Sequence, residues 1–227
     1  MNGATGDRET RDRLMKAAER LFAERGFKEV TVREICRSAD ANVAAVNYHF
    51  GDKLGLYRSV LRTVLDAMRD VTESAQQAGA SKPPEEQLRI YIDIFLRQLL
   101  RPESQAIHAI VNREITDPTP ALDDLLEQGV RPRVNYLAGV IARMIGCEPS
   151  DDRVLRCVMS VQAQSIMYAR HNPVAERLGF RFKRTPSQID EAVQHVADFS
   201  IAGIRAVGSQ GARGARGSVL PELENRT

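Results

Sequence analysis

The chain of 227 residues has no tryptophan, and all aromatic side chains together make only 5% of it. A core built here must therefore rest on aliphatic side chains. Cysteine is also scarce. Cys36, Cys147 and Cys157 are odd in number and lack CxxC spacing, which argues against a disulfide framework or a zinc site and suits a reducing cytoplasm. No run of eighteen apolar residues occurs, so no membrane span is expected. The opening "MNGATGDRETRDR" has no apolar stretch of the kind a secretory signal needs. Strand signals are missing too, with no Val/Ile/Thr alternation bounded by hairpin turns. The motifs GxSxG, HExxH and GxxxxGK[ST] are absent, and the glycines near the end follow no strand, so neither an enzyme nor a bound cofactor is expected.

Charge of one sign is lacking as well. The net charge is +2, and residues 1–54 carry ten Lys/Arg against nine Asp/Glu. A nucleic-acid reader with this balance depends on a few placed cations and helix N-termini, not on a basic domain.

What remains is helical pattern and 43% apolar residues, enough for a packed core. Residues 1–8 read as frayed. Leu14, Ala17, Ala18, Leu21 and Phe22 then form one stripe. Gly26 reads as a left-handed stop, with Phe27 folding back on the stripe. "TVRE" is a capping box of Thr31 and Glu34 that opens a second helix. Asp40 and Ala41 break it, Asn42 caps a short third helix, and Gly51 ends that one. Lys53 opens a long helix to about Ala78. "GASKPPEE" is the clearest joint, and helices follow at about 85–100, 103–116, 120–145, 151–171 and 187–207. The Gly/Arg-rich residues 208–227 read as a disordered tail.

Three helices in about fifty residues, the last two joined tightly, make a helix-turn-helix, whose third helix lies in a major groove. A wheel at 100° per residue puts Val43, Val46 and Phe50 inward and Ala44, Ala45 and Tyr48 outward, with Asn47 and His49 at the edges. Small outward residues let a helix approach base edges, Tyr48 and His49 can reach phosphate, and Asn47 could read adenine. The same residues also suit a plain helix packed on a neighbour, and the wheel does not separate the two.

The stretch "RDRLMKAAERLFAERGFKEVTVREICRSADANVAAVNYHFGDKLGLYRSVL" resembles the DNA-binding region of the TetR family of bacterial transcriptional regulators, most closely over about residues 9–62. The marks "AAERLFAERGF", "TVREI" and "YHFGDKLGLY" in this order carry the resemblance. It implies an all-α fold: an N-terminal three-helix helix-turn-helix domain at 9–54, a connecting helix at 53–78, and a larger C-terminal helical effector-binding and dimerisation domain within 55–207. It implies that Thr31 and Arg33 contact or support backbone phosphate. Asn42, Val43, Ala44, Ala45, Asn47, Tyr48 and His49 would form the recognition helix and its cap, and Lys53 would grip phosphate. Asp40 stands where the family usually has glycine; aspartate tolerates the left-handed region better than most residues.

The rest of the chain is read from its own pattern. Residues 151–171 and 187–207 are apolar on more than one side, which calls for partners on two sides. A two-fold four-helix interface of a homodimer would use Val154, Val158, Val161, Ser165, Val193, Val196, Ala197, Ser200, Ile201 and Ile204. Tyr91, Phe95, His108, Val111, Asn112, Tyr136, Gln164, Met167 and Tyr168 pair apolar bodies with polar tips, as a small-molecule pocket would. Each also fits an ordinary core. The expected partners are an operator in double-stranded DNA, a small-molecule effector and a second copy of the chain, with no membrane. The rival is a helical protein-interaction module without sequence-specific DNA binding.

Overall fold

The computed structural model describes residues 3–170, 173–179 and 181–214. Among these it has eleven α-helices and no strand. In chain order they are α1 (Gly3–Glu29), α2 (Val32–Ser38), α3 (Val43–Phe50), α4 (Lys53–Gly79), α5 (Pro84–Leu100), α6 (Ser104–Thr116), α7 (Leu122–Leu125), α8 (Arg131–Ile145), α9 (Asp152–Ala169), α10 (Pro173–Arg177) and α11 (Pro186–Gly214), with a π-helical turn at Leu126–Val130 before α8. Two expectations about the ends change. Helix α1 begins at Gly3, inside the stretch read as frayed, and α11 carries residues 208–214 of the supposed tail. The remainder of that tail, 215–227, lies outside the described residues.

The chain divides into two compact units, each discontinuous in sequence. The first holds the residues up to Ser74 together with Arg97–Arg133, and the second Ala75–Leu96 together with Val134 onward.

In the first unit the α1 stripe is buried as its spacing requires, with Leu14 and Ala18 fully enclosed and Phe22 nearly so. Complete burial of a side chain such as Leu14 stabilises by roughly 1.5–3 kcal/mol. Ile35, Val46, Leu56, Leu61, Ile110 and Leu125 meet this stripe in one core, and Phe22, Phe27 and Tyr57 form an aromatic cluster with centroids 5.0 to 6.1 Å apart. Gly26 does not stop α1 in the left-handed helical region. It sits at φ 84°, ψ 169°, an extended mirror conformation open to glycine, and kinks the helix.

Local signals set the turn of the helix-turn-helix. The Thr31 side chain accepts from the Glu34 backbone N–H at 3.3 Å, and Glu34 accepts from the Thr31 N–H at 2.8 Å. Asp40 adopts φ 47°, the left-handed turn position that glycine would otherwise fill. Arg25 bonds the Glu34 carboxylate at 2.7 Å; that bond, with those from Thr31, holds Glu34 at a pKa of about 2. Because this folded-state value lies below the usual 4.5, the contribution is present above about pH 4.5 and fades as pH falls toward 2. Thermal melts of wild type and Glu34→Gln should therefore converge between pH 5 and pH 2, with the variant less stable only at the higher pH. A gap independent of pH would contradict this.

In the second unit Leu88, Tyr91, Ile92, Phe95 and Leu96 of α5 are buried, as are Leu137, Val140 and Ile141 of α8. Arg205 of α11 bonds Glu85, Arg89 bonds Asp198 at 2.7 Å, and Arg143 of α8 bonds Gln87 at 2.6 Å. Helices α9 and α11 pack side by side.

That packing corrects the expected dimer residues. Val154, Val158, Val161, Ser165, Val193, Val196, Ala197, Ser200, Ile201 and Ile204 are all buried within the single chain. They form its own core, so they offer no surface to a partner. The expectation of two apolar sides still holds for these helices. Their other side leaves Leu155 at 42%, Met159 at 68%, Ile166 at 38% and Met167 at 54% exposure on α9, and Phe199 at 63% on α11.

Candidate nucleic-acid interface

Helix α3 is eight residues long and capped at both ends. Asn42 Oδ1 accepts from the Ala45 N–H at 2.8 Å, and the Gly51 N–H bonds Asn47 O at 3.0 Å. The Asn42 amide oxygen is thus spent on the cap. Val46 is fully buried, and Ala45 and Phe50 pack partly against the core. The outward face is Val43, Ala44, Asn47 and Tyr48, with Tyr48 76% exposed.

Two wheel assignments change. Val43 faces out and Ala45 turns in. A wheel gives angles between residues but not the direction of the core, and the core lies toward Val46, leaving Val43 at the margin of the first turn. His49 also departs from its expected phosphate contact. Its side chain is only 7% exposed, and Nε2 lies 3.5 Å from Asp7 Oδ1 on α1.

The flanking cations are placed at helix starts. Arg33 is exposed in the first turn of α2. Lys53 opens α4 with its ammonium 4.4 Å from the Phe27 ring centre, and burial there lowers its pKa. Thr31 spends its hydroxyl on the capping box, donating to Glu34 Oε2 at 2.7 Å, so it supports the α2 terminus.

A polar cluster that the sequence reading left unassigned joins α6 to this unit. The Arg113 guanidinium donates to Ala23 O at 3.0 Å and also to Glu24 O, just before the Gly26 kink. Lys28 pairs with Asp117. Fully buried Glu114 accepts from Tyr57 Oη–H at 2.6 Å and from the Thr119 N–H and hydroxyl at 2.8 Å each. Burial and the Glu114 bond push the Tyr57 phenol pKa upward. The motif "VNREITDPTP" therefore ties α6 and its following turn to α1 and α4.

The expected pocket residues fall in both units. Tyr91 stacks on Phe95 at 5.4 Å and lies 6.1 Å from Tyr136, all in the second unit. His108, Val111 and Asn112 belong to the first unit, where Val111 packs on the core and Asn112 faces solvent. On α9, Gln164 donates to Ser200 Oγ at 3.3 Å, Met167 is exposed, and Tyr168 meets Phe182 edge-on at 5.2 Å.

A short capped helix after a tight turn, with small and polar side chains facing out and cations at the adjoining helix starts, defines a helix-turn-helix DNA reader. Residues 14–60 match the family model of bacterial regulatory proteins of the TetR family, and residues 84–204 match that of the C-terminal domain of the HTH-type transcriptional dual regulator CecR. The chain belongs to the TetR family and is a DNA-binding transcriptional regulator. It is 28% identical over 156 residues to the Shigella flexneri dual regulator CecR, covering 65% of this chain and 70% of that one. It is 27% identical over 199 residues to the HTH-type transcriptional regulator BetI of Rhizobium meliloti, covering 87% and 91%. In fold it is similar to a TetR-family transcriptional regulator from Streptomyces coelicolor, at a TM-score of 0.58 and 19% identity over 87% of this chain and 96% of that one. No helix among the described residues is long and apolar enough to cross a membrane.

Proposed function

We propose that the chain is a cytoplasmic homodimeric repressor, without enzymatic activity, that leaves a palindromic operator when a small molecule binds. The observation that carries the DNA-reading part is the outward face of α3, where Val43, Ala44, Asn47 and Tyr48 stand clear of the core. Ala44 leaves room for close approach and can pack on a thymine methyl, Asn47 has the amide that pairs with adenine, and Tyr48 carries a hydroxyl for phosphate. Arg33 and Lys53 add phosphate contacts at helix starts.

In this reading residues 9–54 bind DNA, α4 carries the chain onward, and 55–207 respond to the effector and form the dimer. The aromatic group of Tyr91, Phe95 and Tyr136 suits an effector with an apolar body. The Arg113–Glu114 cluster is the route by which a shift of α6 would reach α1. Coupling of this kind requires the effector to bind the DNA-free state more tightly.

The dimer surface is the outer stripe of Leu155, Met159, Ile166, Met167 and Phe199. Met159→Glu should yield a monomer by sedimentation with unchanged helical content, and operator affinity should fall because one half-site reader is lost. A dimer that survives this charge would place the interface elsewhere.

Footprinting the DNA upstream of the chain's own gene tests the function. Two symmetric protected half-sites, with centres about 34–36 Å or somewhat more apart, are expected. Binding without a symmetric footprint would favour the interaction-module reading.

A further inference from the structure

The first turns of α1 lie against the helix-turn-helix at three points. Asp7 Oδ1 stands 3.5 Å from His49 Nε2 near the end of α3. The Arg11 guanidinium lies 5.6 Å from the Phe50 ring centre, one residue on. Arg13 donates to Asp40 O, in the turn between α2 and α3, at 3.3 Å. The His49 ring is 93% enclosed and meets the Tyr48 ring edge-on at 5.0 Å.

We propose that this segment is a brace for the reading helix, with Asp7 a positioning residue for DNA binding and His49 its strut. The inference rests on the assignment of α3 as the DNA reader. An eight-residue helix with one fully buried side chain has little of its own to fix its rotation. Asp7 holds the His49 ring, the ring supports the Tyr48 ring, and Arg11 pins Phe50. Together these set the angle at which Ala44, Asn47 and Tyr48 face outward. His49 therefore acts through α3 and not on phosphate.

The sign of one substitution separates the brace from its alternative. A carboxylate beside DNA repels phosphate, so neutralising a bystander Asp7 would strengthen binding. Neutralising a brace weakens it. Asp7→Asn is exposed enough to leave folding intact, and it should weaken operator binding about three- to fivefold. His49→Gln should lose a similar amount, and the double variant should be no more than about twofold worse than the weaker single one. The slope of log K against log salt should match wild type in all three.

Binding by Asp7→Asn as tight as wild type or tighter would overturn the proposal. So would a slope that falls by about 0.9 for each His49 replaced, since that marks a lost phosphate contact. Amide hydrogen exchange of α3 in free protein decides the brace independently of DNA. Faster exchange across α3 in Asp7→Asn supports it, and unchanged exchange overturns it, even if the wild-type chain binds no specific DNA and the reader assignment itself fails.

Discussion

Ala44→Glu should reduce operator binding by at least about a hundredfold while thermal stability stays near wild type. Ala44 is exposed on α3 and faces away from the core. A carboxylate there would meet the groove at close range, and like-charge juxtaposition of this kind costs several kcal/mol, with about 1.4 kcal/mol for each factor of ten. The folded protein loses little, because glutamate is a good helix former and a surface substitution changes stability by roughly 0.5 kcal/mol or less. Ala45→Glu supplies the contrast. Ala45 is half-buried and packs on the core, so a charge there should lower the melting temperature as well as DNA binding. Gel shift and calorimetry on both variants read the difference. Ala44→Glu that melts early, or that still binds, would mean α3 is rotated from the orientation described.

Glu114→Ala should be strongly destabilising, by about 3–4 kcal/mol. The Glu114 carboxylate is fully buried and accepts from Tyr57, the Thr119 N–H and the Thr119 hydroxyl. Removing it leaves three donors without their acceptor, and each such loss costs about 1–3 kcal/mol when the donor stays buried. Tyr57 also packs on Phe22 and Phe27, so relaxation around it is limited. Glu114→Gln should fall between wild type and alanine, since one carboxamide oxygen can serve some donors but its NH2 faces another. Calorimetric melts check the order. A Glu114→Ala melt within about 1 kcal/mol of wild type would mean that solvent replaces the carboxylate, contrary to its burial.

The parts of the fold that were legible in the sequence are those set by neighbours along the chain. The Thr31–Glu34 capping box, the Asn42 cap and the left-handed Asp40 all follow from side chains within a few residues of the backbone they serve. Most helix boundaries followed from proline, glycine and apolar period, but not the start of α1, the end of α11, the break of 120–145 at a π-helical turn, or α10. What was not legible depends on distant partners. The wheel gave Val43, Ala45 and Val46 their relative angles, but the core direction comes from α1 and α2. His49 looked available to phosphate because Asp7, which faces it, is far away in sequence. On α9 and α11 the pattern showed apolar residues on two sides but not which side the chain itself would fill. α5 and α8 bury hydrophobic faces in the same unit, while Leu155, Met159 and Phe199 are left outside. Arg113 and Glu114 were given no role in "VNREITDPTP", although one caps carbonyls of α1 and the other is buried under Tyr57.

The most direct test of the central claim is a salt titration of the wild-type chain on its footprinted operator and on a scrambled duplex of equal length. The account predicts strong preference for the operator. It also predicts a linear fall of log K with log salt at a slope of about −3.6 or steeper, from Arg33 and Lys53 of two protomers at about 0.9 each. Equal affinity for the two duplexes, or binding indifferent to salt, would contradict it.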